Sequence, residues 1–397
     1  MSSLAVSSIV SKETAAILRN NLAFSKRVNR DWEDEYGNKQ RGYPTGNTIN
    51  IRKPSRYTYR QGRVAAPQTT TEPTIPLTLN QGGADIYFTS NELATGLQGM
   101  QKKIMAAAVT IMTEIDRVGC ELMRTATFNA IGTPGTPPAT QALAVAALTG
   151  MQQRITEMGA PVKGPGRSLV MSPGLNSALV QGYSGLFNSQ SRISKMNDDG
   201  LFLDGYGCYA DVDQCVAQHT NGTQVNTGTA VAAGLSGSSI ACAALAGTIT
   251  KGTKVSFPGV FAVNPQTRVS TGTLAQFVIT ADLSGGAVAL PISPAMVTSG
   301  QFQNVSNATT AANFTIFGAA SATYSCSGMF HKDAFTLAMV DLPALGGGIE
   351  TTNFNEDGIA IRVSRGADIG NDLAVTRLDV LFGFAAVYPE LSCIYAI

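Results

Sequence analysis

Residues 97–129 read LQGMQKKIMAAAVTIMTEIDRVGCELMRTATFN, with apolar side chains at Leu97, Met100, Ile104, Ala108, Ile111, Met112, Ile115, Val118, Leu122 and Ala126. Spacings of three and four residues put all of them on one stripe of an α-helix. Lys103, Glu114, Arg117, Glu121 and Arg124 fall mostly off the stripe. At ~1.5 Å per residue such a helix is roughly 50 Å long, more than most globular helices reach. The pattern predicts a packing element whose stripe carries no functional polar residue. Gly132, Pro134, Gly135, Pro137 and Pro138 end it.

On the N-terminal side lies an acid-free basic ribbon: Arg52, Lys53, Arg56, Arg60 and Arg63, interleaved with Tyr57 and Tyr59. Alternation in a strand would turn Arg56 and Arg60 one way and the tyrosines the other. Pro67, Pro73 and Pro76 keep the following segment extended but out of a sheet interior. Ile75, Leu77 and Leu79 alternate again, as the returning strand of a long hairpin begun at Asn47–Ile51. Before the ribbon, residues 1–30 predict a short amphipathic helix with Ala16, Ile17, Leu22 and Phe24 on its apolar side. The acid cluster Asp31, Glu33, Asp34 and Glu35 follows, and the whole reads as an arm with weak self-burial. Residues 1–64 hold twelve Lys/Arg against five Asp/Glu, although the chain's net charge is only +1. A near-neutral total argues against a dedicated nucleic-acid binder. The ribbon is therefore expected to meet carboxylates of a neighbouring subunit, with Asp31, Glu33, Asp34, Glu35, Asp198 and Asp199 as candidates. Base stacking on Tyr57 and Tyr59 is the competing use.

On the C-terminal side, residues 140–158 repeat a helical stripe through Leu143, Ala147, Leu148, Met151, Ile155 and Met158. Ser168–Met171 is a short buried strand. Ser172 then reads as an N-cap with Pro173 at the first helical position, and Leu175, Leu179 and Leu186 continue that helix. Residues 222–322 carry only Lys251, Lys254, Arg268 and Asp282 as charges. Their short apolar runs, Thr253–Phe257, Phe261–Val263, Phe277–Thr280, Val288–Ile292 and Phe314–Phe317, predict a small antiparallel barrel or sandwich. Strands dominate from 324 to the dense run Val380–Ile397.

At 397 residues, 44% hydrophobic and 14% charged, the chain has ample core for two or three folding units. Six cysteines without a CxxC pair read as reduced, buried thiols. No basic segment precedes an apolar run at the N-terminus, and no run of ~18 apolar residues would cross a membrane. Catalysis finds little support. There are two histidines, His219 and His331, each expected at the surface or in a cap. Neither GxSxG nor GxxxxGK[ST] occurs, and Gly164-Pro165-Gly166 reads as a turn. Asn353–Gly358 starts like a calcium loop, but position twelve is Ser364 where the loop needs a bidentate Glu, so a β-turn is expected. No catalytic, cofactor-binding or metal residue is predicted, no cofactor is implied, and the chain is expected not to be an enzyme. Asn221, Asn304, Asn307 and Asn313 open glycosylation sequons of the kind that Thr/Asn-rich stretches generate by chance.

The order of these parts resembles the major capsid proteins of tailed bacteriophages, the Hong Kong 97-type fold, and among them the coat proteins of short-tailed phages with an inserted β-domain. Three stretches carry the resemblance: Asn47-Thr48-Ile49 with Asn91-Glu92-Leu93; the run Lys251–Val260, similar to Gly-x-x-(Val/Ile)-Ser-Phe-x-Gly-Val; and Phe330–Asp333 with Ile359–Val363 and Leu381–Tyr395. The resemblance implies an α+β chain with an N-terminal arm at 1–46 and an extended loop at 47–86. It implies a peripheral domain at 87–135, completed by part of 350–381, and an axial domain at 136–221, completed by 323–349 and 382–397. The inserted β-domain spans 222–322. It further implies hexamers and pentamers in an icosahedral shell around double-stranded DNA bound without sequence specificity. Scaffolding, portal and decoration proteins are the expected partners, with synthesis in the host bacterial cytoplasm and no membrane partner. Some relatives cross-link a loop lysine to a neighbour's asparagine; Lys53 lies at the base of the loop, so the cross-link does not carry over. A secreted β-rich adhesin or surface-layer protein is the rival reading. It accounts for the sequons but not for the missing signal segment or the long helix.

Overall fold

The computed structural model describes residues 22–33, 46–65, 67–89, 91, 97–162, 166–183, 200–202, 205, 207–226, 229–346, 349–356, 359–368 and 370–397. Contacts divide the chain into two units: residues 1–51, 75–119 and 336–385, and residues 52–74, 120–335 and 386–397.

The long helix spans Leu97–Ala126. Ala107, Ala108, Ile111, Met112, Ile115, Cys120 and Met123 are buried along it. In the first unit it shares a core with a sheet in which Phe335–Met339, Leu373–Ala386, Ile359–Asp368 and Glu350–Glu356 lie in that order, with Asn80–Thr89 also on Leu373–Ala386. The latter pairing is antiparallel and runs unbroken from Leu373 opposite Thr89 to Phe382 opposite Asn80. Glu356 lies opposite Ile359, so the stretch that resembled a calcium loop joins two paired strands. Thr48–Arg52 pairs with Thr74–Thr78, the returning strand expected from Ile75 and Leu77.

The stripe residues are not the helix's sole buried groups: Asp116, beside the stripe, is only 2% exposed. Its carboxylate accepts the Ala23 amide at 2.7 Å, the Ser25 amide at 3.1 Å and the Ser25 hydroxyl. Nor is the arm weakly buried, because Leu22, Phe24 and Val28 are core residues. Phe24 lies over Gly119, where an added Cβ would come within 2.5 Å of its ring and 3.1 Å of Phe384. Only glycine lets the arm seat so closely. Leu22 lies in irregular backbone and Phe24 in a bend, neither of them in a helix; Ala16 and Ile17 lie outside the described residues.

In the second unit the helices Gln141–Glu157 and Pro173–Tyr183 pack on a six-stranded sheet. Its main path runs Ala130–Gly132, Ser392–Ala396, Thr323–His331, Arg167–Met171, Tyr209–Val212. Leu148, Met151, Leu169, Leu175, Met329 and Cys393 form the centre of that core. Ser172 caps the second helix as predicted: its hydroxyl accepts from the Leu175 amide at 3.3 Å. Leu186 lies outside the described residues.

Within the same unit five antiparallel strands are ordered Thr315–Ile316, Lys254–Val263, Ser270–Ile279, Ala289–Met296, Gly237–Ala241. The runs Thr253–Phe257 and Phe261–Val263 are one strand, and Gly237–Ala241 was not anticipated, because Gly-Ser-Ser carries no strand signal. Single bridges from Ala230 to Asn313 and from Val231 to Cys242 link the two ends of the sheet. They turn it towards a small barrel around Phe257, Phe277 and Phe314.

Candidate assembly loop and the polar cluster beside it

Residues 53–60 form no strand, so the expected alternation does not hold. The reason is the missing partner. Across from Thr58 stands a single glutamine side chain and no ladder: Gln68 accepts from the Thr58 amide and donates to the Thr58 carbonyl, both at 2.8 Å. The Tyr57 hydroxyl lies 3.3 Å from that of Thr70. These contacts close the base of a loop whose tip, residues 59–65, is exposed throughout.

The basic residues divide by position. At the base, Arg52 is 3.9 Å from Glu72, both well exposed. Lys53 places its ammonium 4.8 Å from the centre of the Tyr388 ring. Burial lowers its pKa from the usual lysine range, against the opposing field of Glu390. The Arg56 guanidinium donates to Glu390 at 3.1 Å. That ion pair is a correction: Arg56 was expected to seek a carboxylate on another subunit, and it has one at home, 334 residues away. At the tip, Arg60 bonds only to the Gly62 carbonyl among its described contacts, Tyr59 is 92% exposed and Val64 84%, and Arg63 is exposed.

Of the proposed acids, Asp31 is held by Asn29 at 2.9 Å, and Glu33 accepts from the Met339 amide at 3.3 Å. Asp34, Glu35, Asp198 and Asp199 lie outside the described residues.

Below the loop base is a cavity of about 460 Å³. Phe128, Val263, Phe277, Val297 and Phe302 line it, with Lys53, Ser55, Arg56 and Glu390 at one side.

A second polar cluster went unseen in the sequence. Lys254 is fully buried, and its ammonium donates to the carbonyls of Arg124 and Gly252, both at 2.7 Å. The Arg124 carbonyl is one of the last in the long helix, which lacks an intrahelical partner. Lys254 thus puts a cation on the negative end of that helix. Desolvation pushes its pKa down to about 8. Arg124 is clamped by Glu121. It also reaches His219 Nδ1 at 2.6 Å and the Lys251 carbonyl at 3.2 Å. Gly252, at φ +94°, leaves room for the guanidinium: an added Cβ would lie 2.7 Å from Nη1. Because Arg124 can only donate, His219 must accept on Nδ1 and carry its proton on Nε2, 3.1 Å from Thr253 Oγ1. Burial first, then Lys254 and Arg124, push the His219 pKa down to about 3.

His219 is therefore neither a surface nor a capping residue, contrary to expectation. His331 is a cap, accepting from the Asp333 amide at 3.4 Å. Cys120, Cys208, Cys326 and Cys393 are buried thiols, and Cys215 and Cys242 partly buried ones.

Comparison with known proteins gives the class. Residues 210–394 match the family model described as P22 coat protein - gene protein 5. Among solved structures, a chain from Mycobacterium phage Che8 matches with TM-score 0.52 at 11% identity, covering 94% of this chain and 91% of that one. A chain from the capsid structure of the cyanophage P-SCSP1u matches with TM-score 0.43 at 11% identity, covering 89% and 84%. A search of curated proteins gives no match. The fold is the α+β fold of phage capsids, the Hong Kong 97 type. Together the coat-protein match of residues 210–394 and the capsid fold support a tailed-phage major capsid protein that forms the shell. Nothing favours the adhesin reading. A structural role of this kind is not an enzymatic one, and it places the protein in the virion. Among the described residues no helix is long and apolar enough to cross a membrane.

Proposed function

We propose that the chain closes an icosahedral shell of hexamers and pentamers around double-stranded DNA, and that the loop tip 59–65 does so by lying on a neighbouring subunit. The observation that carries this is the tip itself. Tyr59 and Val64 are the most exposed large apolar side chains among the described residues, flanking Arg60 and Arg63 on a loop whose base is tied down. An isolated molecule gains nothing by holding them in water; a repeated contact buries them. Arginine's planar fork suits a carboxylate there, and Asp31, Glu33, Asp34, Glu35, Asp198 and Asp199 of the neighbour are the candidates. Each contact is weak, but closed symmetry repeats it over the whole shell.

The near-neutral net charge of +1 suits a container that must let DNA in, since a strongly cationic lining would hold the genome by counterion release. The domain division set out from the sequence, with its arm, loop, peripheral, axial and inserted parts, is the organisation we propose. Scaffolding, portal and decoration proteins are the further partners, the host cytoplasm is the site of synthesis, and no enzymatic activity is proposed.

The test is Tyr59→Ala with Arg60→Glu and Arg63→Glu. The monomer should melt within a degree or two of the wild type, because these groups touch little at home, and shells should fail to form. Normal shells would refute the loop reading. Normal shells that lose DNA would instead assign the ribbon to nucleic acid.

A further inference from the structure

The inserted barrel has very few charges, and one of them is spent on the loop. Arg268 sits in a tight turn with φ +56°, a left-handed conformation that a non-glycine residue adopts only under constraint. Its Nη2 donates to the Tyr57 carbonyl at 3.0 Å and lies 3.4 Å from the Gln301 carbonyl. Gln301 in turn sends its side-chain amide to the Thr69 carbonyl at 3.4 Å. The barrel therefore grips both legs of the loop, at Tyr57 and Thr69, on either side of the Thr58–Gln68 closure.

The grip is rigidly mounted. Asn264 starts the Arg268 turn by accepting the Gln266 and Thr267 amides at 2.9 and 3.1 Å. Its own amide donates to the Glu157 carbonyl at 2.9 Å, at the end of the Gln141–Glu157 helix. The turn is closed again by the Arg268 amide on the Asn264 carbonyl at 2.8 Å.

We infer that the inserted barrel serves as a positioning device for the assembly loop: Arg268 and Gln301 hold residues 57–69 in the conformation a neighbouring subunit receives. This rests on the proposed role of the loop tip. The physical gain is pre-organisation. A free loop of this length must be ordered at each association event, whereas a clamped one has been ordered in advance, and association loses less entropy. It also gives a nearly uncharged insertion a task that needs no surface charge of its own. Arg268 and Gln301 are positioning residues and touch the neighbour only through the loop.

Arg268→Gly is the informative variant, since glycine accepts φ +56° without strain and only the guanidinium is lost. Gln301→Ala removes the second grip. Two readouts are needed on the full chain: hydrogen exchange of the amides between 57 and 70, above all Thr58, and the protein concentration at which shells first form. The expected result for the double variant is exchange accelerated about tenfold or more, an unchanged melting temperature, and a threshold raised about tenfold, equivalent to ~1.4 kcal/mol per contact. Unchanged exchange overturns the clamp. Faster exchange with an unchanged threshold overturns its purpose. In that case the tip variant Tyr59→Ala/Arg60→Glu/Arg63→Glu tells the two failures apart. If the tip variant still blocks assembly, only the clamp has failed; if it too assembles normally, the loop reading has failed with it.

Discussion

Removing one carboxylate from the long helix should undock the arm. In Asp116→Ala, the Ala23 amide, the Ser25 amide and the Ser25 hydroxyl all lose their acceptor. Ser25 and Leu22 are 0% and 1% exposed, so water does not replace it without opening the site. A hydrogen bond to a charged group contributes ~1.5–3 kcal/mol, and an orphaned buried donor costs ~1–3 kcal/mol. The three share one acceptor and are not additive, so the expected loss is ~3–5 kcal/mol, the range for breaking a buried polar network. The single tryptophan, Trp32, lies within the arm and reports on it locally. In urea, with a slope of ~3 kcal/mol/M for a protein of this size, the Trp32 transition should fall by roughly 1–1.7 M. Ser25→Ala, which removes one of the three donors, should lower it by about a third as much. A shift under ~0.3 M for Asp116→Ala would refute the reasoning, because it would mean that the arm holds on by Phe24 and Leu22 alone.

Three further outcomes follow from the same structure. Ile111→Asp, at a side chain 4% exposed, should cost several kcal/mol by burying an unpaired charge and yield insoluble protein; soluble, assembling protein would show the stripe to be uncovered. His219 is neutral in the folded chain, with a pKa of about 3 against 6.5 unfolded. The unfolded chain therefore takes up the proton first, and this part of the stability is full above pH ~6.5 and lost as pH falls towards ~3. His219→Gln should flatten the stability profile between those values, and an unaltered profile would remove His219 as its source. Residues 222–322, expressed alone, should give a β-type circular dichroism spectrum and a cooperative melt; a random-coil spectrum would count against the inserted domain as a folding unit.

What the sequence revealed and what it hid divide along physical lines. The helix Leu97–Ala126, the cap at Ser172-Pro173 and four strands of the barrel were legible, because each rests on local periodicity or on one residue's own backbone preference. Asp116 and Lys254 drew no reading from the sequence, and His219 was expected at the surface or in a cap, the default for its residue type. Their burial depends on partners 91 or more residues away for Asp116, 95 for His219 and 130 for Lys254, which no local pattern encodes. The ribbon misled in the opposite sense. Arg56–Arg60 alternates like a strand, but alternation shows only what a strand would present, not that a partner strand exists. The loop tip was nonetheless recognisable as a segment with little to bury at home, while Glu390, the home partner of Arg56, carried no signal.

The most direct test is electron cryomicroscopy of shells assembled from the purified chain, at a resolution that shows side chains. The account predicts closed shells in which Tyr59 and Arg63 lie against a second copy of the chain, with Arg56 still on its own Glu390. Shells in which residues 59–65 face solvent or fold back on their own subunit, or preparations that stay monomeric at every concentration, would contradict it.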